Sequence, residues 1–250
     1  MNKLYRHITP SFIVLMTIIP MVLAWGYLCF SENGIISHSS SVYLLNSLTR
    51  SLFYSLIGIL ICLCITFIIF YNIRDMQGKF LSIIILFFVL QLQIGVIPKL
   101  YGFLGAYSSS GIWGLMSNLE SPFAYSSLGV ILSLVYVYSP FFFIPLIASL
   151  KNNDSLIKST QILGANKKHI LLLQCKVYKS AIIYSAVLFL ALSLMDYTCS
   201  DIIGGGKYDT YGKALYRTAI TFRESFTAIT LGLSVLLVIL ALMTLSRRYE

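Results

Sequence analysis

Two carboxylates and a tyrosine raise the first chemical question. Asp196 stands inside the apolar run 181–199, Tyr197 follows it, and Asp201 lies just beyond, at the outer end of the same stretch. A charge at mid-membrane costs about 2.5–3.5 kcal/mol on insertion scales, so such an acid faces a polar cavity or finds a partner. Carboxylates supply charge and an aromatic face supplies cation–π attraction, a combination that suits a positively charged solute. The same Asp196 could instead pair with a Tyr or Ser of a neighbouring helix and only fix packing. Residue types alone leave both roles open, and Tyr197 suits packing as well as a ligand wall.

Other chemistry is harder to place. The Gly204–Lys207 run, GGGK, invites a phosphate loop, but Tyr208 follows the lysine and no glycine stands five residues before Gly206. These glycines read as a turn. His7, His38 and His169 sit in separate loops and suggest no metal site. The cysteines, Cys29, Cys62, Cys64, Cys175 and Cys199, are odd in number and mostly in apolar runs, which implies buried thiols and no disulfide framework. No Ser/His/Asp grouping falls on one side of the membrane. The expectation is a chain with no enzyme active site and no cofactor.

The surroundings of these residues are a membrane. The 250 residues are 58 % apolar and 11 % charged, against about 45–50 % and about 25 % in soluble domains. A spanning helix needs about 20 apolar residues, and six runs qualify: 11–30, 48–71, 80–98, 127–150, 181–199 and 226–245. No small-residue cleavage site closes the first run, so it reads as a retained helix. The expected fold is an all-α integral membrane protein of about six transmembrane helices, forming a single domain over 1–250.

Charge sets the expected orientation. Lys3, Arg6, Arg74, Lys79, Lys151, Lys158, Lys167, Lys168, Lys176, Lys179, Arg247 and Arg248 fall on one side. Half as many, Arg50, Lys99, Lys207, Lys213, Arg217 and Arg223, fall on the other, together with most of the acids. The net charge of +9 is therefore a topology signal and predicts no nucleic-acid partner. Both termini are expected in the cytoplasm, as is the polar stretch 151–179. There Asn153 or Asp154 can cap a first helix with Leu156, Thr160 and Leu163 on one face. Gly164 suits a helix end, and Asn166 can cap a second helix, KKHILLLQ. On residue physics, this loop either binds a partner or lies on anionic lipid with its lysines on headgroups.

The loop resembles the cytoplasmic signature loop of binding-protein-dependent ABC importer permeases, whose pattern is Glu-Ala-Ala, three residues, Gly, then a downstream Leu-Pro. In DSLIKSTQILGANKKH, Leu163-Gly164-Ala165 stands at the matching spacing. Lys158-Ser159-Thr160 replaces Glu-Ala-Ala and Lys176-Val177 replaces Leu-Pro, so one charge at the docking surface is reversed. LLNSLTRSLFYSLIG, NIRDMQGKF and VYVYSPFFFIPLIASL, with Pro140 and Pro145, resemble further parts of that family's core, over about 45–245. The resemblance implies docking to an ATPase through Leu156, Lys158, Thr160, Leu163, Gly164 and Ala165. It also implies a second permease subunit, two cytoplasmic ATPase subunits, an external substrate-binding protein and a bacterial inner-membrane location.

Two segments resemble the spermidine/putrescine permeases in particular. LMDYTCSDIIGGGKYDTYGKALYRTAI carries the acidic-aromatic pair Asp196-Tyr197, the second acid Asp201 and Ile202-Ile203-Gly204-Gly205. Lys99-Leu100-Tyr101-Gly102 resembles their Arg-x-Tyr-Gly run, and Lys99 and Tyr101 are expected to face the outer vestibule. Iron(III) permeases share part of the first pattern. The resemblance thus implies a polyamine path through Asp196, Tyr197 and Asp201. An importer for iron(III) or another small solute, and a non-transport membrane protein with a lipid-facing loop, remain as alternatives.

Overall fold

A computed structural model describes residues 38–72, 78–109, 111–117, 121–152, 159–160, 167–220 and 232. Every regular element among them is a helix. In chain order these are α1 (His38–Asn72), α2 (Gly78–Gln93), α3 (Val96–Tyr107), α4 (Ile112–Ser117), α5 (Ser127–Asn152), α6 (Lys167–Val177), α7 (Lys179–Met195), α8 (Thr198–Ile202) and α9 (Tyr211–Ile220). The expected runs 11–30 and 226–245 lie outside the described residues. Among the described residues, two helices are long and apolar enough to cross a membrane, Tyr43–Ile69 within α1 and Ser127–Ser149 within α5. The bent pair made by Ser82–Gln93 and Val96–Met116 adds a third if counted as one span.

α1 explains its own packing. Ser47, Ser51, Ser55, Gly58, Cys62 and Thr66 recur at three- and four-residue steps and are all buried. Such a row of small residues lets helix backbones approach closely where lipid offers no hydrophobic drive between helices. Most of its hydroxyls are satisfied within the bundle, the buried Ser51 Oγ being the exception. Ser55 donates to the Ser51 carbonyl at 2.8 Å, Thr66 to that of Cys62 at 2.8 Å, and Ser193 of α7 to the Ser55 hydroxyl at 2.8 Å. At Gly58 a Cβ would stand 2.9 Å from the Phe189 ring of α7. The opposite face, with Leu45, Phe53, Leu56, Leu60 and Ile68, is more than half exposed. That is the polarity expected of a helix whose outer face meets lipid.

α5 is the central helix and is mostly buried, packing against α1, α2 and α7. It carries Pro140 and Pro145 in its interior. A proline has no N–H for the carbonyl four residues back, so Pro140 deprives Tyr136 of its helical partner. Gln91 of α2 replaces it, donating from Nε2 to the Tyr136 carbonyl at 2.7 Å. A neighbouring helix thereby restores a bond that hydrocarbon cannot supply. Phe142, Phe143, Leu146, Ile147 and Phe189 belong to a core on one side of Pro140. Val130, Ile131, Leu134, Val137, Cys199 and Ile203 form a second core on the other.

Two expected spans end differently. The run 80–98 is broken after Gln93, and α3 starts at Val96 across a bend of 104°. Gly95 precedes α3 in an extended conformation and Pro98 occupies the first turn, where its missing N–H costs nothing. The run 181–199 stops at Met195, because Asp196 leaves the helix with φ −70° and ψ 130°. The second half of the polar stretch forms α6 as expected, and Tyr178, fully buried, separates it from α7. GGGK is a turn, as read: the Lys207 N–H donates to the Gly204 carbonyl at 3.1 Å, with Gly205 and Gly206 at φ +55° and +82°. Those angles favour glycine.

Candidate functional site

The helix break after Met195 creates the site. Once Asp196 leaves α7, its side chain is free to serve the next element. Asp196 Oδ2 accepts the Cys199 N–H at 2.8 Å and so caps the first turn of α8. Its own carbonyl accepts the Thr210 hydroxyl at 2.7 Å, which ties the break to the start of α9. The other carboxylate oxygen, Oδ1, accepts the Tyr138 hydroxyl of α5 at 2.7 Å. Asp196 is 5 % exposed. Together with Tyr138, Ala191, Leu192, Met195, Tyr197 and Thr198 it lines a cleft of about 430 Å³.

The three expected path residues are brought near one another but hold different positions. Asp196 and Tyr197 line the same cleft, and the Tyr197 ring stacks on Tyr216 of α9 with centroids 5.1 Å apart and planes 16° apart. Asp201 does not share a helix with Asp196; it sits on the separate helix α8, outside the cleft lining. Its carboxylate lies 3.0 Å from Lys213 Nζ of α9, with the aspartate side chain 55 % and the lysine 4 % exposed.

Lys213 also approaches Asp209, at 3.5 Å, and Asp209 pairs with Arg217 at 2.7 Å. The Tyr43 hydroxyl of α1 donates to the same Asp209 at 2.5 Å. This charge cluster was missed in the sequence, although Lys213 and Arg217 share one face of α9 and Asp209 precedes them at the same four-residue step. Tyr211 stands beside it, and burial pushes its hydroxyl up to about 12, so it adds no charge. Lys99, expected in the outer vestibule, is buried, whereas Tyr101 of the same helix is exposed.

Three acids lie among the described residues: Asp196, Asp201 and Asp209. The last two have cationic partners, and Asp196 has only the neutral donors just named. No group of three or more His, Cys, Asp or Glu among the described residues is arranged to hold a metal ion. The described cysteines are free thiols; Cys62 and Cys199 are buried, while Cys64 is exposed on α1.

Of the six residues expected to couple to an ATPase, Thr160 is described; it is helical and partly buried. Leu156, Lys158, Leu163, Gly164 and Ala165 lie outside the described residues.

Helices broken at Gln93 and Met195 surround a proline-bearing central helix. The chain superposes on a solved structure of a bacterial ABC transporter involved in the import of the acidic polysaccharide alginate. The TM-score is 0.60 at 14 % identity, over 99 % of this chain and 98 % of that one, a likeness of fold. In sequence it is similar to the spermidine/putrescine transport system permease protein PotB of Haemophilus influenzae. The two are 24 % identical over 201 residues, 76 % of this chain and 70 % of that protein. No family model matches the chain. The resemblance to ABC importer permeases thus holds in both fold and sequence.

Proposed function

We propose that this chain is one membrane-spanning subunit of an ATP-driven importer of polyamines, and that Asp196 receives an ammonium group of the cargo. The observation that carries this reading is the unpaired charge of Asp196. It is a buried carboxylate on a cleft, held by two hydrogen-bond donors and faced by no Lys or Arg among the described residues. A buried charge without a counter-ion is costly, and a cationic cargo supplies the counter-ion. Tyr197 gives the cleft an aromatic wall for cation–π contact. Asp201, already paired with Lys213, acts at the outer approach as part of a neutralised cluster.

A polyamine fits this donor set better than iron(III). Hard, highly charged ions take several anionic oxygens, whereas the cleft offers one carboxylate. In this reading a second permease subunit completes the path, two cytoplasmic ATPase subunits hydrolyse ATP, and an external binding protein delivers the cargo. The stretch 151–179 docks to the ATPase through Leu156, Lys158, Thr160, Leu163, Gly164 and Ala165. Lys158 in place of an acid calls for a matching acidic change on that ATPase. The membrane is the bacterial inner membrane, with both termini cytoplasmic.

The test is uptake of labelled putrescine and spermidine by cells lacking their own polyamine importers and expressing this chain with its native neighbours. Cells without this chain are the control, and ferric iron is the competing cargo. Energy-dependent polyamine uptake that requires this chain is the expected result. Iron uptake without polyamine uptake overturns the cargo and keeps the importer. Neither, with all subunits assembled, overturns the cargo and the coupling together.

A further inference from the structure

Tyr138 was not among the residues expected to serve the path, yet its hydroxyl reaches the Asp196 carboxylate from α5. Its position is well determined. The ring lies edge-on to Phe189 of α7, with centroids 6.5 Å apart and planes at 88°, and tilted against Phe141, at 6.4 Å and 44°. Phe189 is in turn fully buried against Phe142 and below Gly58. The hydroxyl is therefore delivered to Asp196 Oδ1 by a packed aromatic wall, while Cys199 holds Oδ2 from the other side.

A carboxylate offers about four lone-pair sites. Each oxygen takes one of these neutral donors, which fixes the rotation of the group, and the residue lines the cleft. Both oxygens then take part in a single, oriented receptor for a hydrogen-bonding cation. Without the Tyr138 hydroxyl, the carboxylate keeps its backbone bond but loses the contact that sets its plane.

We infer that Tyr138 is a positioning residue for cargo capture: it orients the Asp196 carboxylate so that an ammonium group entering the cleft meets preformed acceptors. This inference rests on the importer reading above. It adds that cargo affinity is set jointly by α5 and α7, the two helices that flank the cytoplasmic stretch 151–179.

The test is a double-substitution cycle in the fully assembled transporter, reconstituted in vesicles with its ATPase and binding protein. Initial rates of labelled putrescine uptake are normalised to intact complexes, so poor assembly does not enter. Tyr138→Phe is expected to raise the KM for uptake about tenfold, as loss of a hydrogen bond to a charged group does, with the maximal rate within about twofold. Tyr138→Phe added to Asp196→Asn is expected to change KM no further, because the two act as one unit.

An unchanged KM for Tyr138→Phe, a fall in maximal rate alone, or additive effects in the cycle overturn the positioning role and leave the importer reading intact. Absence of amine uptake by the unaltered transporter overturns the cargo reading, and this inference with it.

Discussion

Lys213 Nζ lies 3.0 Å from Asp201 and 3.5 Å from Asp209, so a single buried lysine neutralises acids from two different segments. Through Asp209 the same cluster reaches Arg217 of α9 and Tyr43 of α1. It ties α1, α8 and α9 together, while the separate carboxylate of Asp196 has no cation beside it among the described residues.

Removing the shared lysine exposes that role. Lys213→Met leaves Asp209 with Arg217 and the Tyr43 hydroxyl, and Asp201 with water. Breaking a fully buried pair costs about 3–5 kcal/mol; with Asp201 open to solvent, about 1–3 kcal/mol is expected. The thermal midpoint of the purified protein in detergent should fall accordingly. Asp201→Asn, at the exposed end of the pair, should cost under about 1 kcal/mol and raise the KM for uptake less than about threefold. A collapse of uptake in that variant would move Asp201 into the cargo site.

Asp196→Asn removes the charge and keeps the size. The amide can still accept from Tyr138 or from Cys199, so insertion and assembly should remain near normal. The KM for a cationic cargo should rise about tenfold or more, the loss expected when a charged hydrogen-bond partner becomes neutral. Membrane levels measured beside uptake separate the two effects. Unchanged uptake would assign Asp196 to packing and to the capping of α8.

At Gly58, α1 comes close to Phe189 of α7. Gly58→Val places a Cβ 2.9 Å from a fully buried Phe189 ring, with further methyl groups behind it. Overpacking of this kind costs about 1–3 kcal/mol. The variant should melt earlier, and Phe189→Leu should recover part of the loss because the two share one space.

Gly164 is expected at the joint of the cytoplasmic stretch, where a left-handed residue would end a helix. A β-branched residue resists that conformation. Gly164→Val should insert and assemble normally while uptake falls to background. Normal uptake would remove the joint from the coupling path.

Much of this arrangement was legible in the sequence. Run length marked α1 and α5, the triple glycine marked its turn, and the burial cost of an isolated acid marked Asp196. The break after Met195 was not legible, because apolar residues continue on both sides of Asp196 and run length cannot see a change of direction. Tyr138 was equally hidden. The chain has 17 tyrosines, and α5 is apolar all round, so no periodic pattern says which ring points to α7. Lys213 sat among charges counted for orientation, and that counting overlooked its four-residue spacing from Asp209 and Arg217.

The bond from Gln91 to the Tyr136 carbonyl joins residues 45 positions apart, with the donor first. During synthesis α2 leaves the ribosome well before the proline-bearing helix that needs it. The acceptor freed by Pro140 thus enters the bilayer when its donor is already in place. The chronology of translation supplies what the geometry of α5 lacks, and reversing the order of these two helices would ask an incomplete helix to wait in lipid for its missing partner.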